Sequence, residues 1–144
     1  WLAIACFRLE RREEGWAILK ALLPQNHSTQ LYRGEPNVLA ADVSYAPGLE
    51  GRAGGTWYTG AAGWYWQGAV EHLLGLHVEA GRLTLKPNLP ESWPGFTAVW
   101  RLNQGELTIS VKRTGTASMH LDGRAEHWVE LKTLKGNHEL SVTI

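Results

Sequence analysis

The chain has 144 residues, with 14 basic and 14 acidic side chains, 44% hydrophobic residues and a single cysteine. That length suffices for one compact domain or two small ones, and the even charge balance excludes electrostatic capture of nucleic acid or of an anionic membrane. Cys6 alone excludes an internal disulfide framework and a cysteine-based zinc site, and there is no run of about 18 apolar residues to make a membrane-spanning helix. The eight Trp and sixteen Gly are the unusual features; Trp is a common surface for stacking sugar rings.

In chain order, Trp1, Leu2, Ile4, Ala5 and Leu9 follow helical spacing with no N-cap residue ahead of them. The chain therefore opens inside a helix and reads as a fragment of a longer one. Arg11 to Leu23 forms an amphipathic helix with Trp16, Ile18, Leu19, Leu22 and Leu23 apolar. Glu13 and Glu14 lie near its positive end, and Pro24 stops it. Gln25 to Gly34 reads as a polar loop and Pro36 to Val43 as a short helix, with proline favoured in the first turn. Ser44 to Thr56 is a Gly- and Pro-containing loop. Thr59 then reads as the N-cap of a helix over Gly60 to Leu74, ended by Gly75.

Past Gly75 the period changes to two. Strands are expected at His77 to Val78, Arg82 to Leu85, Phe96 to Leu102, Glu106 to Lys112, Ser118 to Leu121, Trp128 to Leu131 and Glu139 to Ile144. The turn signals between them are Ala80-Gly81, Pro94-Gly95, Gln104-Gly105, Asp122-Gly123 and Gly136-Asn137. Leu107, Ile109 and Val111 form one face of their strand. Helices first and short strands after predict an α+β chain whose second half is an antiparallel sandwich.

The stretch richest in chemistry is Gly51-Arg52-Ala53-Gly54-Gly55-Thr56-Trp57-Tyr58-Thr59-Gly60-Ala61-Ala62-Gly63-Trp64. A glycine-rich loop running into a helix start offers free backbone N–H groups, and Thr59 adds a hydroxyl donor. Gly60 allows close approach to the backbone, and Arg52 can hold an anion bidentately. The same residues also fit an ordinary N-cap and a tight turn. Trp57, Tyr58, Trp64, Tyr65 and Trp66 read either as a sugar-stacking wall or as core. Glu35 and Asp42 read either as a carboxylate pair for glycosidic acid–base work or as solvated loop charges. The six His are scattered without metal-ligand spacing, so no metal site is expected. Cys6 reads as packing.

Several motifs in order resemble one family. Glu35-Pro36-Asn37-Val38-Leu39-Ala40-Ala41-Asp42-Val43, then Gly51-Arg52, then Trp57-Tyr58-Thr59-Gly60-Ala61-Ala62-Gly63-Trp64 are similar to the C-terminal part of the inverting glycoside phosphorylases of glycoside hydrolase family 94. This is the cellobiose and chitobiose phosphorylase family, and the likeness is greatest to its cyclic β-1,2-glucan synthase and β-1,2-oligoglucan phosphorylase type. Asn26-His27, Leu73-Leu74-Gly75-Leu76 and the Leu83 to Pro94 segment fit as well.

The resemblance implies the last helices of an (α/α)6 barrel at residues 1–75, followed by an antiparallel β-sandwich at residues 76–144. It implies reversible phosphorolysis of a β-glucoside to an α-sugar 1-phosphate, with inversion. Thr59, Gly60 and Arg52 would bind phosphate, while Glu35 and Trp57 would contact sugar. No cofactor is implied beyond inorganic phosphate as co-substrate. The partners implied are β-linked glucosides or oligoglucans, a second subunit in a homodimeric full-length enzyme, or a partner chain carrying the rest of the barrel. The catalytic acid, an Asp, is expected upstream of Trp1, so this chain alone is expected to be inactive. The location implied is cytoplasmic, or the cytoplasmic side of an inner-membrane glucan synthase. Three departures stand out: Asn37 where Tyr is usual, Leu49 followed by Glu50 where relatives carry a phosphate-facing His, and Ala53-Gly54-Gly55-Thr56-Trp57 where relatives commonly carry Gly-Gly-Trp-Thr-Trp. The alternative is a non-catalytic carbohydrate-binding or assembly module on the same fold.

Overall fold

The computed structural model describes residues 1–34, 39–56 and 59–144. The chain is α+β and divides into two compact units, Trp1–Leu73 and Leu74–Ile144.

The first unit begins with α1 (Leu2–Arg8) and α2 (Arg12–Ala21), which pack as a helical hairpin. Glu10 turns the corner in the left-handed region (φ 59°), and the Arg11 amide closes back on the Cys6 carbonyl at 2.9 Å. Ala3, Cys6 and Phe7 are the buried face of α1, at the one-turn spacing that the apolar pattern requires. Gly15, in the middle of α2, has a steric reason: a Cβ there would come within 2.7–2.8 Å of three atoms of the Phe7 ring. Its helix-weakening lack of a side chain is what lets the two helices meet.

Between Pro24 and Tyr32 the expected loop holds two short turns of helix, a 3₁₀ turn at Pro24–Asn26 and α3 (Thr29–Tyr32). The expected helix over Pro36 to Val43 is corrected. Its first three residues, Pro36, Asn37 and Val38, lie outside the described residues, and the described remainder ends in an extended segment, β1 (Asp42–Val43), not a helix. The apolar residues at 38–41 offer no polar face to define a helical period, and pairing decides the outcome. β1 pairs antiparallel with β2 (Ala53–Gly54), placing Asp42 opposite Gly54. The last helix, α4 (Thr59–Gln67), runs on as a π-helical segment, Gly68–Leu73. Thr59 is the first helical residue, one step inside the cap position expected for it. The π-helical segment packs on α1 and α2, and the Tyr65 hydroxyl donates to the Leu19 carbonyl at 3.3 Å.

The second unit holds two sheets. One contains β3 (Leu76–Glu79), β4 (Arg82–Leu85) and β9 (Val129–Glu130), in that order. The other has five strands in the order β5 (Gly95–Leu102), β6 (Gly105–Lys112), β10 (His138–Thr143), β7 (Ser118–Leu121), β8 (Arg124–Ala125). Leu107, Ile109 and Val111 are buried on alternate positions of β6, as their spacing predicts, and meet Leu140 and Val142 of β10. Leu83 and Val129, register partners across β4 and β9, are equally buried.

The expectation of wholly antiparallel pairing is corrected, because β10 runs parallel to β6. The chain reverses after β6 but leaves a strand-wide gap before β7. β10 fills that gap, parallel to β6 and antiparallel to β7. Alternation of apolar residues specifies a face, not a direction, so the sequence does not carry this. β8 is two residues long and carries no apolar pattern to announce it.

After β4, the Pro87–Pro94 segment is held by Arg113, whose guanidinium donates to the Leu89 carbonyl at 3.1 Å and the Pro90 carbonyl at 3.2 Å. Leu89 beneath it is fully buried.

Candidate functional site

Of the residues singled out from sequence, Asp42 and Arg52 lie on the β1–β2 hairpin and Thr59 and Gly60 at the start of α4, all within the first unit. The hairpin loop is tied by its own backbone. The Ser44 amide donates to the Arg52 carbonyl and the Gly51 amide to the Ser44 carbonyl, both at 2.9 Å. The Ser44 hydroxyl accepts from the Ala46 amide at 3.1 Å, and the Arg52 amide donates to the Leu49 carbonyl at 3.1 Å. Arg52 is thereby fixed at the closing position of the loop, with its side chain exposed.

Arg52 lines a small pocket of about 120 Å³ together with Arg33, Glu50, Leu49 and Gln30. Arg33 was not singled out by the sequence reading. It ends α3 in the left-handed region (φ 53°), where its Nε donates to the Gln30 carbonyl at 3.1 Å. Two guanidinium groups and one carboxylate around one opening favour an anionic or polyhydroxylated guest. The only sequence signal for Arg33 is its place in Tyr32-Arg33-Gly34, directly ahead of the Glu35-Pro36 motif.

Asp42 is exposed on β1, and its carboxylate packs on the bare backbone of Gly54. A Cβ at Gly54 would lie 1.9 Å from Asp42 Oδ1. The glycine of the loop is thus fixed by a close approach inside the hairpin. The expected partner carboxylate, Glu35, lies outside the described residues, as does Trp57.

Gly60 sits exposed in the first turn of α4, and a Cβ there would meet nothing within 4 Å; the same holds for Gly63. Of the Thr59 side chain nothing is described. The structure therefore brings Arg52 and Arg33 to one pocket. Gly60 is not among that pocket's described lining residues.

The aromatic run divides. Tyr65 turns inward to Leu19, and partial burial pushes its phenol pKa up. Trp64 and Trp66 are 47% and 56% exposed. Trp64 pairs with Trp1, ring centroids 4.7 Å apart at 49°, a tilted arrangement of ordinary aromatic geometry. Both rings border a cavity of about 480 Å³, lined mostly by apolar side chains including Ile4, Ile18, Leu22 and Tyr32, with His27 and Asp42 also in its lining. Tyr32 stacks on His27 at 4.7 Å and 10°. Among the described residues no three His, Cys, Asp or Glu side chains converge as a metal site, and no helix is long and apolar enough to cross a membrane.

Residues 1–75, the helical part and the hairpin, match the model of the glycosyl hydrolase 94 superfamily catalytic domain. The chain belongs to that family. Among its relatives is the cyclic beta-(1,2)-glucan synthase NdvB of Rhizobium meliloti (strain 1021), 41% identical over 118 residues. That match covers 78% of this chain and 4% of NdvB. An N,N'-diacetylchitobiose phosphorylase of Vibrio proteolyticus is 28% identical over 110 residues, 70% of this chain and 13% of that protein. A second N,N'-diacetylchitobiose phosphorylase, from Vibrio furnissii, is 24% identical over 155 residues, all of this chain and 19% of its own length. The chain thus spans less than a fifth of each of these three relatives.

Proposed function

We propose that the chain is part of a glycoside phosphorylase-type enzyme acting on β-linked glucosides or oligoglucans and inorganic phosphate, with residues 1–75 the last helices of an (α/α)6 barrel and residues 76–144 a β-sandwich domain. The observation that carries this reading is the family match over residues 1–75, which contains every candidate site residue. Two of the relatives above are named as phosphorylases. In the proposed reaction phosphate attacks the anomeric carbon, the glycosidic C–O bond breaks, and an α-sugar 1-phosphate leaves with inverted configuration. The leaving oxygen takes its proton from an Asp outside this chain. Phosphate is already an anionic nucleophile, so one acid suffices where a hydrolase needs an acid and a base. No cofactor is required in this scheme.

Thr59, Gly60 and Arg52 hold the phosphate, and Glu35 and Trp57 meet the sugar. The open space above Gly60 supports close approach of an anion to the start of α4, and the exposed guanidinium of Arg52 supports a charged contact. The enzyme works in the cytoplasm, where phosphate and sugar phosphates are at hand.

The test is to add inorganic phosphate to the full-length protein with a panel of β-linked glucans and to follow release of α-glucose 1-phosphate. Wild type is expected to release it in proportion to phosphate at low concentration. Thr59→Val and Arg52→Ala are each expected to raise the phosphate KM by about tenfold or more, as loss of a hydrogen bond to a charged group does. Phosphate-independent oligoglucan binding without product would instead leave a carbohydrate-binding module.

A further inference from the structure

Away from the hairpin and α4, a polar cluster of close geometry lies where the β7–β8 turn meets the head of β10. Nδ1 of His138 is 2.7 Å from Oδ2 of Asp122, and Nε2 is 3.0 Å from the carbonyl oxygen of Lys135. The other carboxylate oxygen of Asp122 accepts the backbone N–H of Glu139 at 2.9 Å. An ionised carboxylate and a peptide carbonyl are acceptors only. A neutral imidazole owns one N–H, so it satisfies one of these two acceptors and turns a lone pair on the other. Both contacts exist together only when the ring carries both protons.

The surroundings favour that charge. From the β7–β8 turn the ring meets Asp122, and Arg124 on β8 acts on the same carboxylate. The loop after β9 presents the Lys135 carbonyl, and β10 contributes the Glu139 amide. β6 brings the apolar Leu107 into register with His138, while the amide of neighbouring Glu106 donates to the Asn137 side chain at 3.2 Å. β7 ends at Leu121, and the Asp122 amide returns a hydrogen bond to the Glu139 carbonyl at 2.9 Å.

We infer that protonated His138 is a latch: it fastens residues 131–137, the crossover that brings the chain from β9 back to β10, and the β7–β8 turn to the head of β10, and it opens as pH rises. The direction of both titrations agrees. The hydrogen bond to Asp122 holds His138 above its ordinary 6.5. The Glu139 amide first, and His138 second, hold Asp122 below the ordinary carboxylate value. His138 therefore contributes stability that is complete below pH 6.5 and is lost as pH climbs through its raised folded pKa. Asp122 contributes stability that is present above its ordinary 3.8 and is lost as pH falls through its lowered one. Between those limits the latch is closed.

The experiment is ¹H–¹⁵N NMR of the ring nitrogens and backbone amides of the full chain from about pH 5 to about pH 9, the range over which an imidazole titrates. The expected result is a titration midpoint above 6.5, so that at pH 6.5 the ring is mostly doubly protonated. Exchange of the Gly136, Asn137 and Glu139 amides is expected to rise by up to about tenfold per pH unit beyond the intrinsic rise between pH 6.5 and that midpoint, and to show no excess rise above it. Asp122→Asn is expected to lower the midpoint. His138→Gln is expected to flatten the excess pH dependence while the Leu140 and Val142 amides stay protected, which certifies that the sheet is still formed. A ring that is mostly neutral and of a single tautomer at pH 6.5 overturns the proposal, as does exchange at the crossover with no excess pH dependence. Both can be read from wild type alone if the variants fail to fold.

Discussion

The two units treat their apolar residues differently. In the second, Leu83, Leu89, Leu107, Ile109 and Leu140 are wholly buried, and the large apolar side chains left exposed are Val78, Val99 and Trp128. In the first, Trp1, Leu2, Leu9, Leu22, Leu31, Tyr45, Leu49, Trp64 and Trp66 are exposed, Tyr45 by 90%. The sheet unit closes a core of its own, whereas the helical unit presents apolar surface well beyond what a solvated face needs. Stability should therefore reside in the strands, and recognition on the helices and their hairpin.

Mutations can break or sharpen that contrast. The largest effect is expected at the centre of the five-stranded sheet. Leu107→Ala or Leu140→Ala should cost about 2–5 kcal/mol, the range for a buried Leu with its cavity, as measured by chemical denaturation. Leu2→Ser in the helical unit should change stability by less than about 0.5 kcal/mol. Comparable losses at both places would mean that the exposed helical surface is covered in solution. Next comes Gly15→Ala: the gain in helix propensity, up to about 1 kcal/mol, is outweighed by a methyl driven into the Phe7 ring, at about 1–3 kcal/mol. Thermal unfolding followed at the helical ellipticity should show a net loss. Tyr65→Phe removes the bond to the Leu19 carbonyl and should cost about 1 kcal/mol. That carbonyl keeps a second donor, the Leu22 amide at 3.2 Å, so no larger effect is expected. The smallest change is a gain. Gly63→Ala fills open space on α4 and should add roughly 0.5–1 kcal/mol of helix stability. If the variant is more stable but, in the full-length protein, lowers the phosphate-dependent release proposed above, a guest needs the room that Gly63 leaves.

The strands of the second unit other than β8 were legible because each carries its own evidence. Leu107, Ile109 and Val111 alternate with polar residues, and Ala80-Gly81 and Asp122-Gly123 mark turns in which all four residues have positive φ. The first two helices were legible for the same reason, down to the break at Pro24. The middle of the chain was not. β1 and β2 are two residues each, too short for a period to register. Their pairing depends on a contact between Asp42 and Gly54 that only the folded hairpin creates. The parallel direction of β10 was hidden for a related reason, since it is a property of three strands together. At the candidate site the motifs around Glu35, Arg52 and Thr59 were visible as a family likeness, but Arg33 was not, because it reaches the Arg52 pocket through the fold of α3 and not through any spacing.

The placement of β10 has a consequence for synthesis. It is made after every other strand of its sheet, yet it lies between β6 and β7 and bonds to both. Until residues 138–143 leave the ribosome, those two strands face each other across an empty lane, each with an unpaired edge. The long-range closure is slow by nature, since its contacts are distant in sequence, and open edges invite pairing with other chains. A chain truncated before His138 would thus be most prone to aggregate with both hairpins already shaped, and restoring the six residues of β10 would remove that hazard.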